Sequence, residues 1–360
     1  MKFVFILFLF LIALTAHAQI FTLKVTDYDG LDSIPGVKAL IDNEVKKVQS
    51  DINDKIPSGS TTRVMKGMSN SSTLAGKSSF ADYGSHMEKY QLSFAMGGGV
   101  DLERQKDFSS DVSGVGVAPS LVGGANMHNL GVHHFAGLDT KKLDLYVGYL
   151  QWGAYQDLDP FIDRKAWLKV NTKSAGAMFG YTWISGQEHK NYTWGGVRLG
   201  WGFQHIESHF EFEHDLNFDF DVQGVNSLRG RVTGRPKYNV DVNTNSIPLE
   251  ISSDVSVFKF LTFYGGAGLD FNWGSAVGRA KADGKLSPIV CTDGGVCTAG
   301  QRIQVQAQAG ANTQGHVEPV TVRGFVGAQI NLPYVQLYST VNKPVNNEVL
   351  GIAVGIRFVR

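Results

Sequence analysis

An acidic arm followed by a basic arm, each alternating charged with apolar residues, constrains residues 207 to 246 more than any other stretch of the chain. From Glu207 to Val222 one face carries Glu207, His209, Glu211, Glu213, Asp215, Asn217, Asp219 and Asp221, and the other carries Phe210, Phe212, Leu216, Phe218, Phe220 and Val222. Period two marks a strand, because successive side chains point to opposite faces of a sheet. A turn at Gln223 to Ser227 sets Asp221 against Arg229, Asp219 against Arg231, Asp215 against Arg235 and Glu213 against Lys237, with no like charges opposed. Each such pair adds about 0.2–1 kcal/mol, and a slip of a single residue would turn every side chain to the wrong face, so the register is strongly specified. On the second face Phe218 meets Val232, Phe212 meets Tyr238, and Phe220 and Leu216 cover Gly230 and Gly234. The arm spans about 50 Å at roughly 3.3 Å per residue, where ordinary strands run to about five or six residues.

The lane His205, Glu207, His209, Glu211, Glu213 has the residue types to bind cations or a basic partner. The opposing arm claims Glu213 and the aspartates, His209 faces Asp241, and only Glu207 and Glu211 are left opposite Asn243 and Asn239. The charges therefore read as devices for register and solubility.

Met1 and Lys2 lead into an apolar run from Phe3 to Leu14, with Ala16-His17-Ala18 before Gln19. This is the pattern of a secretory signal over residues 1–18, and the run is shorter than the roughly 20 apolar residues of a membrane-spanning helix. Glycine makes up 42 of 360 residues and charged residues 18 %, against a usual charged share of about 25 %. Both shifts suit a barrel wall, where strands must bend and a lipid-facing surface carries no charge. A net charge of zero gives no support to nucleic-acid binding.

In residues 19–86, Val37, Leu40, Ile41, Val45, Val48, Ile52 and Ile56 recur at helical spacing between Pro35 and Pro57, which predicts one amphipathic helix. Residues 58–84 are rich in Ser, Gly and Thr and read as a linker or lumen-threading segment, with a weaker turn around Val64, Met65 and Met68. The whole segment is expected to be a lumen plug or to lie in the periplasm. From residue 87 onwards period two dominates, with strands over 88–102, 115–127, 141–153, 173–184, 192–222, 228–258, 260–275, 319–331, 334–342 and 349–359. With both termini in the periplasm, most inner connections are short. The outer ones are long or join long strands, including 276–318.

In the last strand Leu350, Ile352, Val354, Ile356 and Phe358 share a face opposite Gly351, Ala353 and Gly355. Here the chain resembles bacterial outer-membrane β-barrel proteins, whose final strand alternates apolar residues and commonly ends in an aromatic. The resemblance is at superfamily level and implies an all-β fold: an antiparallel transmembrane β-barrel of about ten strands, within a range of eight to fourteen. To this the chain adds an N-terminal amphipathic helix and a long protruding β-ribbon at 207–246. Trp152 and Tyr155, Tyr181 and Trp183, Tyr192 and Trp194, Phe271 and Trp273, Tyr334 and Tyr338 sit near strand ends, as interfacial girdles do.

Cys291 and Cys297, separated by five residues in an exported chain, are expected to form a local disulfide in the 276–318 loop. His128, His133, His134 and Asp139 lie close together without a fixed ligand spacing, and read as solvated turn residues rather than a metal site. The run Gly97-Gly98-Gly99 interrupts a strand and precedes no helix, which suits barrel curvature better than phosphate binding. No nucleophile elbow or zinc-protease helix is present, so no catalytic residues, cofactor or metal are assigned and a non-enzymatic role is expected. The leading expectation is a transporter or gated pore in the bacterial outer membrane for a small or hydrophobic solute. The alternatives are an anchor or adhesin displaying the ribbon to an extracellular surface, and a soluble exported β-protein. The expected partners are outer-membrane lipid and that solute or surface, with no nucleic acid.

Overall fold

The computed structural model describes residues 22–27, 60–80, 90–104, 110–157, 166–221, 228–290 and 305–360, with single helical positions at Ala39, Asp42, Asn43 and Lys46. In chain order these are β1 (Thr22–Asp27), α1 (Ser60–Phe80), β2 (Tyr90–Arg104), β3 (Ser110–Asn126), the short β4 (His134–Phe135) and β5 (Leu138–Asp139), a 3-10 turn at Thr140–Lys142, and β6 (Leu143–Asp157). There follow β7 (Ala166–Glu188), β8 (Tyr192–His214), β9 (Leu216–Asp221), β10 (Leu228–Val257), β11 (Leu261–Val290), β12 (Val305–His316), β13 (Val320–Leu332), β14 (Val335–Pro344) and β15 (Val349–Val359). The expected signal peptide, most of the 37–56 helix, Cys291 and Cys297 lie outside the described residues.

Ten strands close a ring in the order β2, β3, β6, β7, β8, β10, β11, β13, β14, β15, every neighbour antiparallel. The seam joins first to last, with Ile352 opposite Gly98 and Phe358 opposite Leu92. The ring strands are the ten that the alternation predicts. Of the remaining strands, two extend staves of the ring, β1 pairs with β12, and β4 and β5 form a separate two-stranded sheet. β9 continues β8 along β10 after a break at Asp215, and β12 lies along the upper part of β11, beyond β13. The connections 189–191, 258–260 and 333–334 gather with Tyr90 and Val359 at one end, the turn end. At the opposite, tall end β10 and β11 run for 30 residues each.

Each long strand reverses the polarity of its faces partway up. On β10 the outward residues nearest the turn end are Val255, Ile251, Leu249 and Ile247, all exposed, and continuing upward they become Asn245, Asn243, Asp241, Asn239, Lys237 and Arg235. Inward, Asp254, Ser252, Ser246 and Thr244 give way to Val242, Val240 and Tyr238. β8 switches at the paired level between Phe203 and His205, and β11 between Trp273 and Ser275. Apolar outside with polar inside is a wall in lipid, and charged outside with apolar inside is a wall in water. The upper interior is a packed cluster of Met65, Met68, Leu168, Val170, Phe210 and Val242.

The predicted register of the 207–246 hairpin is the observed one. Lys237 faces Glu213, Arg231 faces Asp219 and Arg229 faces Asp221, and Arg235 Nε donates to Asp215 Oδ1 at 2.8 Å. The expected protruding two-stranded ribbon is corrected. β10 pairs with β11 along its whole length and β8 with β7 as far as His214 opposite Ala166, so the hairpin is the middle of a taller wall. Pro236, opposite Ala282, is not on a free edge; its missing amide falls where the β8 and β9 ladders break between Gly234 and Lys237. The expected outer loop 276–318 is likewise mostly strand, in β11 and β12. Two expected girdle aromatics point inward: Trp152 packs on the upper cluster, and Tyr338 is buried under Arg357. Trp183, Tyr192, Trp273 and Tyr334 are exposed on the outer surface.

Candidate functional site

The lumen is occupied by α1. Its sequence, with six serines and two glycines in 21 residues, is a poor helix former in water, since Ser competes for backbone groups and Gly costs about 1 kcal/mol against Ala. Inside a ring whose strands already pair with one another, a helix satisfies its own amides and carbonyls, which makes the conformation the favourable one. Of the two readings of 58–84, a linker or a lumen-threading segment, residues 60–80 follow the second, as a helix rather than irregular chain.

One face of the helix is a row of small residues four apart, Gly67, Ser71, Ala75 and Ser79, and it lies on a glycine track formed by Gly97 and Gly99 of β2 and Gly114 and Gly116 of β3. A Cβ at Gly99 would overlap the carbonyl of Ser71, and one at Gly116 would overlap the backbone of Ser71 and Ser72. The run Gly97–Gly99 therefore serves close helix approach, beyond the curvature read from the sequence. Ser120 Oγ donates to the Ser79 carbonyl at 2.7 Å and Ser69 Oγ to the Gly315 carbonyl at 2.9 Å, so the helix runs from the tall end downwards.

Opposite the track, α1 is held by charge. Lys77 Nζ lies 2.9 Å from Asp270 Oδ2 and donates to Asn272 Oδ1 at 2.8 Å. Arg323 Nε donates to the same Asp270 oxygen at 2.9 Å, and the guanidinium also bonds Glu250 and, at 2.6 Å, Asn342 Oδ1. Asn342 Nδ2 returns to Ser78 Oγ of the helix at 2.9 Å. The side chains of Lys77, Asp270, Arg323 and Glu250 are 2 %, 0 %, 0 % and 6 % exposed, so two cations and two anions form a neutral set buried away from bulk solvent. Between helix and wall, a cavity of ≈ 10 Å³ lined by Asn70, Thr73, Lys77 and Asn272 has room for about one water.

Below the helix, polar side chains of the wall line the lumen. Arg357 Nη1 donates to Gln329 at 3.0 Å and Gln336 at 3.2 Å while its guanidinium lies 4.8 Å from the Tyr338 ring centre. Arg198 bonds Asp144 and, at 2.5 Å, the Tyr146 hydroxyl. None of these lumen residues stood out in the sequence; their signal was a charged residue alternating with apolar ones inside a spanning strand, as Asp270 does between Leu269 and Phe271.

The outer charge lane finds partners on every side. Asp241 sits 2.6 Å from His209 Nδ1 and accepts from Arg279 Nη1 at 2.8 Å. Glu211, left over in the sequence pairing, takes Lys237 at 2.7 Å, and Glu207 takes Lys173 of β7 at 3.0 Å. The hydrogen bond from Lys237 pulls the Glu211 carboxyl below its ordinary pKa, and the same bond holds the Lys237 ammonium above its own. At the turn end His128 and His133 bring their Nδ1 atoms within 3.4 Å, with His134 paired to Asp139 across β4 and β5.

Closed antiparallel ring, apolar outer belt and polar lumen together define a transmembrane β-barrel. A family model for Lsa36-like proteins matches residues 16–360, and the chain belongs to that family. No curated protein matches it. Among solved structures it is similar to the transport unit of the autotransporter AIDA-I from Escherichia coli, at 10 % identity over 80 % of this chain and 96 % of that one, TM-score 0.30. It is also similar to the translocator domain of the autotransporter NalP from Neisseria meningitidis, at 10 % identity over 76 % and 89 %, TM-score 0.27. A third is Ail, the attachment invasion locus protein of Yersinia pestis, at 11 % identity over 75 % and 99 %, TM-score 0.20.

Proposed function

We propose that the protein is a non-enzymatic anchor of the bacterial outer membrane, displaying its tall wall to an extracellular surface. The observation that carries this reading is the occupied lumen: α1 lies against backbone on one side and a buried ion set on the other, which suits a permanent part of the core better than a gate. Short turns on the periplasmic side and tall strands outside are the usual orientation of such barrels, which puts the charged upper wall in the external medium. Residues 1–18 act as a cleaved export signal, and Cys291 with Cys297 forms a disulfide in the sequence between β11 and β12.

The competing transport reading, for a small or hydrophobic solute, requires α1 to leave the lumen. Planar-bilayer conductance of the purified chain tests the two against each other. The anchor predicts silence from the intact chain and conductance only when residues 19–86 are removed. Stable solute-dependent conductance by the intact chain would overturn it. Mass spectrometry after alkylation, with and without reductant, tests the disulfide; alkylation of both cysteines without reductant rules it out.

A further inference from the structure

We infer that the segment ahead of α1 is exported through the barrel, so that β1 lies on the outer surface and the lumen is the route by which it got there. The inference rests on the orientation adopted above for the anchor, tall end outwards.

Its basis is where the chain goes. β1 pairs with β12, with Thr22 opposite Gly310 and Val25 opposite Ala307. Those β12 residues pair in turn with Lys281 to Gly284 of β11. Lys281 lies eight positions beyond Trp273, the last belt residue of β11, or about 25 Å further along the strand. β1 is thus well beyond the lipid belt at the tall end. From there the chain enters the ring with Lys66 beside Gly315 of β12 and descends as α1 to Ser79, level with Gly97. It reaches the first wall strand at Tyr90, whose amide bonds the Arg360 carbonyl at the turn end. Residues 60–80 therefore run down the inside of the closed ring from the tall end, and the wall resumes with Tyr90 at the turn end, so the chain passes the membrane in the direction opposite to export of the segment that precedes α1.

A second observation supports a stable outer position. β12 pairs with β11 on one side and would present an open edge on the other, and β1 covers that edge. Return of β1 to the turn end would require α1 to leave the glycine track and Lys77 to leave Asp270. The ring must then close around α1 with the preceding residues already delivered outside, a single passage for each molecule. Any sequence joined ahead of Thr22 would be carried to the surface with it.

Three versions of the chain, each with one short epitope, test this in cells that express it. The epitope is placed between Phe21 and Thr22, after Lys190 in the turn 189–191, or after the exposed Val345 in the tall-end connection 345–348. Heat-modifiable gel migration confirms that each barrel has folded. Antibody on intact cells is expected to bind the Phe21 and Val345 versions to a similar extent, and the Lys190 version at least ten-fold less until the outer membrane is permeabilised. Binding at Val345 but not at Phe21 overturns the export inference and leaves the anchor's orientation standing. Binding at Lys190 and not at Val345 reverses the barrel, and the orientation and the export inference fall together.

Discussion

At the scale of residues, the ion set between α1 and the wall is neutral only while all four charges are present. Lys77→Met would leave Asp270 and Glu250 sharing Arg323, an uncompensated buried charge worth about 3–5 kcal/mol. The double substitution Lys77→Met with Asp270→Asn restores neutrality and should recover a large part of that loss. Urea unfolding of the detergent-solubilised barrel measures both, and a double variant less stable than the single one would contradict the argument. The pair Glu211 and Lys237 on the outer face of the upper wall, partly covered rather than fully buried, behaves differently. Lowering the folded pKa of Glu211 gives stability that is present above its unfolded value of about 4.3 and lost as pH falls through the lowered one. Raising that of Lys237 gives stability that is present below about 10.4 and lost as pH rises through the raised value. Glu211→Gln should therefore cost something near neutral pH, less than about 1 kcal/mol because the lysine is well solvated, and the cost should fade below pH ~4 or in high salt.

At the scale of elements, the glycine track separates two kinds of glycine that look alike in the sequence. Gly116→Ala puts a methyl into the backbone of Ser71 and Ser72, whereas Gly324→Ala meets open space. Overpacking costs roughly 1–3 kcal/mol where side chains can give way, and here the obstacle is backbone. Gly116→Ala should lower the temperature of the heat-modifiable gel transition clearly, while Gly324→Ala leaves it within error. Equal behaviour of the two would argue that α1 is not seated as described. The same element shows where sequence reasoning stopped. The wall strands and the 207–246 register were legible because both faces alternate and both arms constrain each other. The helix at 60–80 was not, because its stripe is made of small residues rather than apolar ones; the spacing Gly67, Ser71, Ala75, Ser79 was present but is informative only once the facing Gly97, Gly99, Gly114 and Gly116 are known. The charge set of Lys77, Glu250, Asp270 and Arg323 was illegible for a related reason: its members are brought together only by ring closure around the helix.

At the scale of the whole molecule, one chain builds two walls with opposite insides, and the level of the reversal fixes how deep the barrel sits. The outward residues Ile247, Leu249 and Ile251 of β10 belong to lipid, and Asn243, two positions above Asn245, belongs to water. The extra height was legible in the length of the hairpin. Its reading as a lone ribbon failed because the apolar face of Phe210, Phe212, Val240 and Tyr238 was not matched to an interior that required flanking strands to enclose it. The depth makes a quantitative claim. A charge on the lipid face costs about 2–4 kcal/mol for Arg near the bilayer midplane and little at the interface, so Ile251→Arg should lose most of that in folding titrations into lipid vesicles. Asn243→Arg, on the same face of the same strand about 25 Å further along it, should lose close to nothing. A large penalty at Asn243 would place lipid around the upper wall, and the charged surface there could no longer be the part of the molecule that meets the outside.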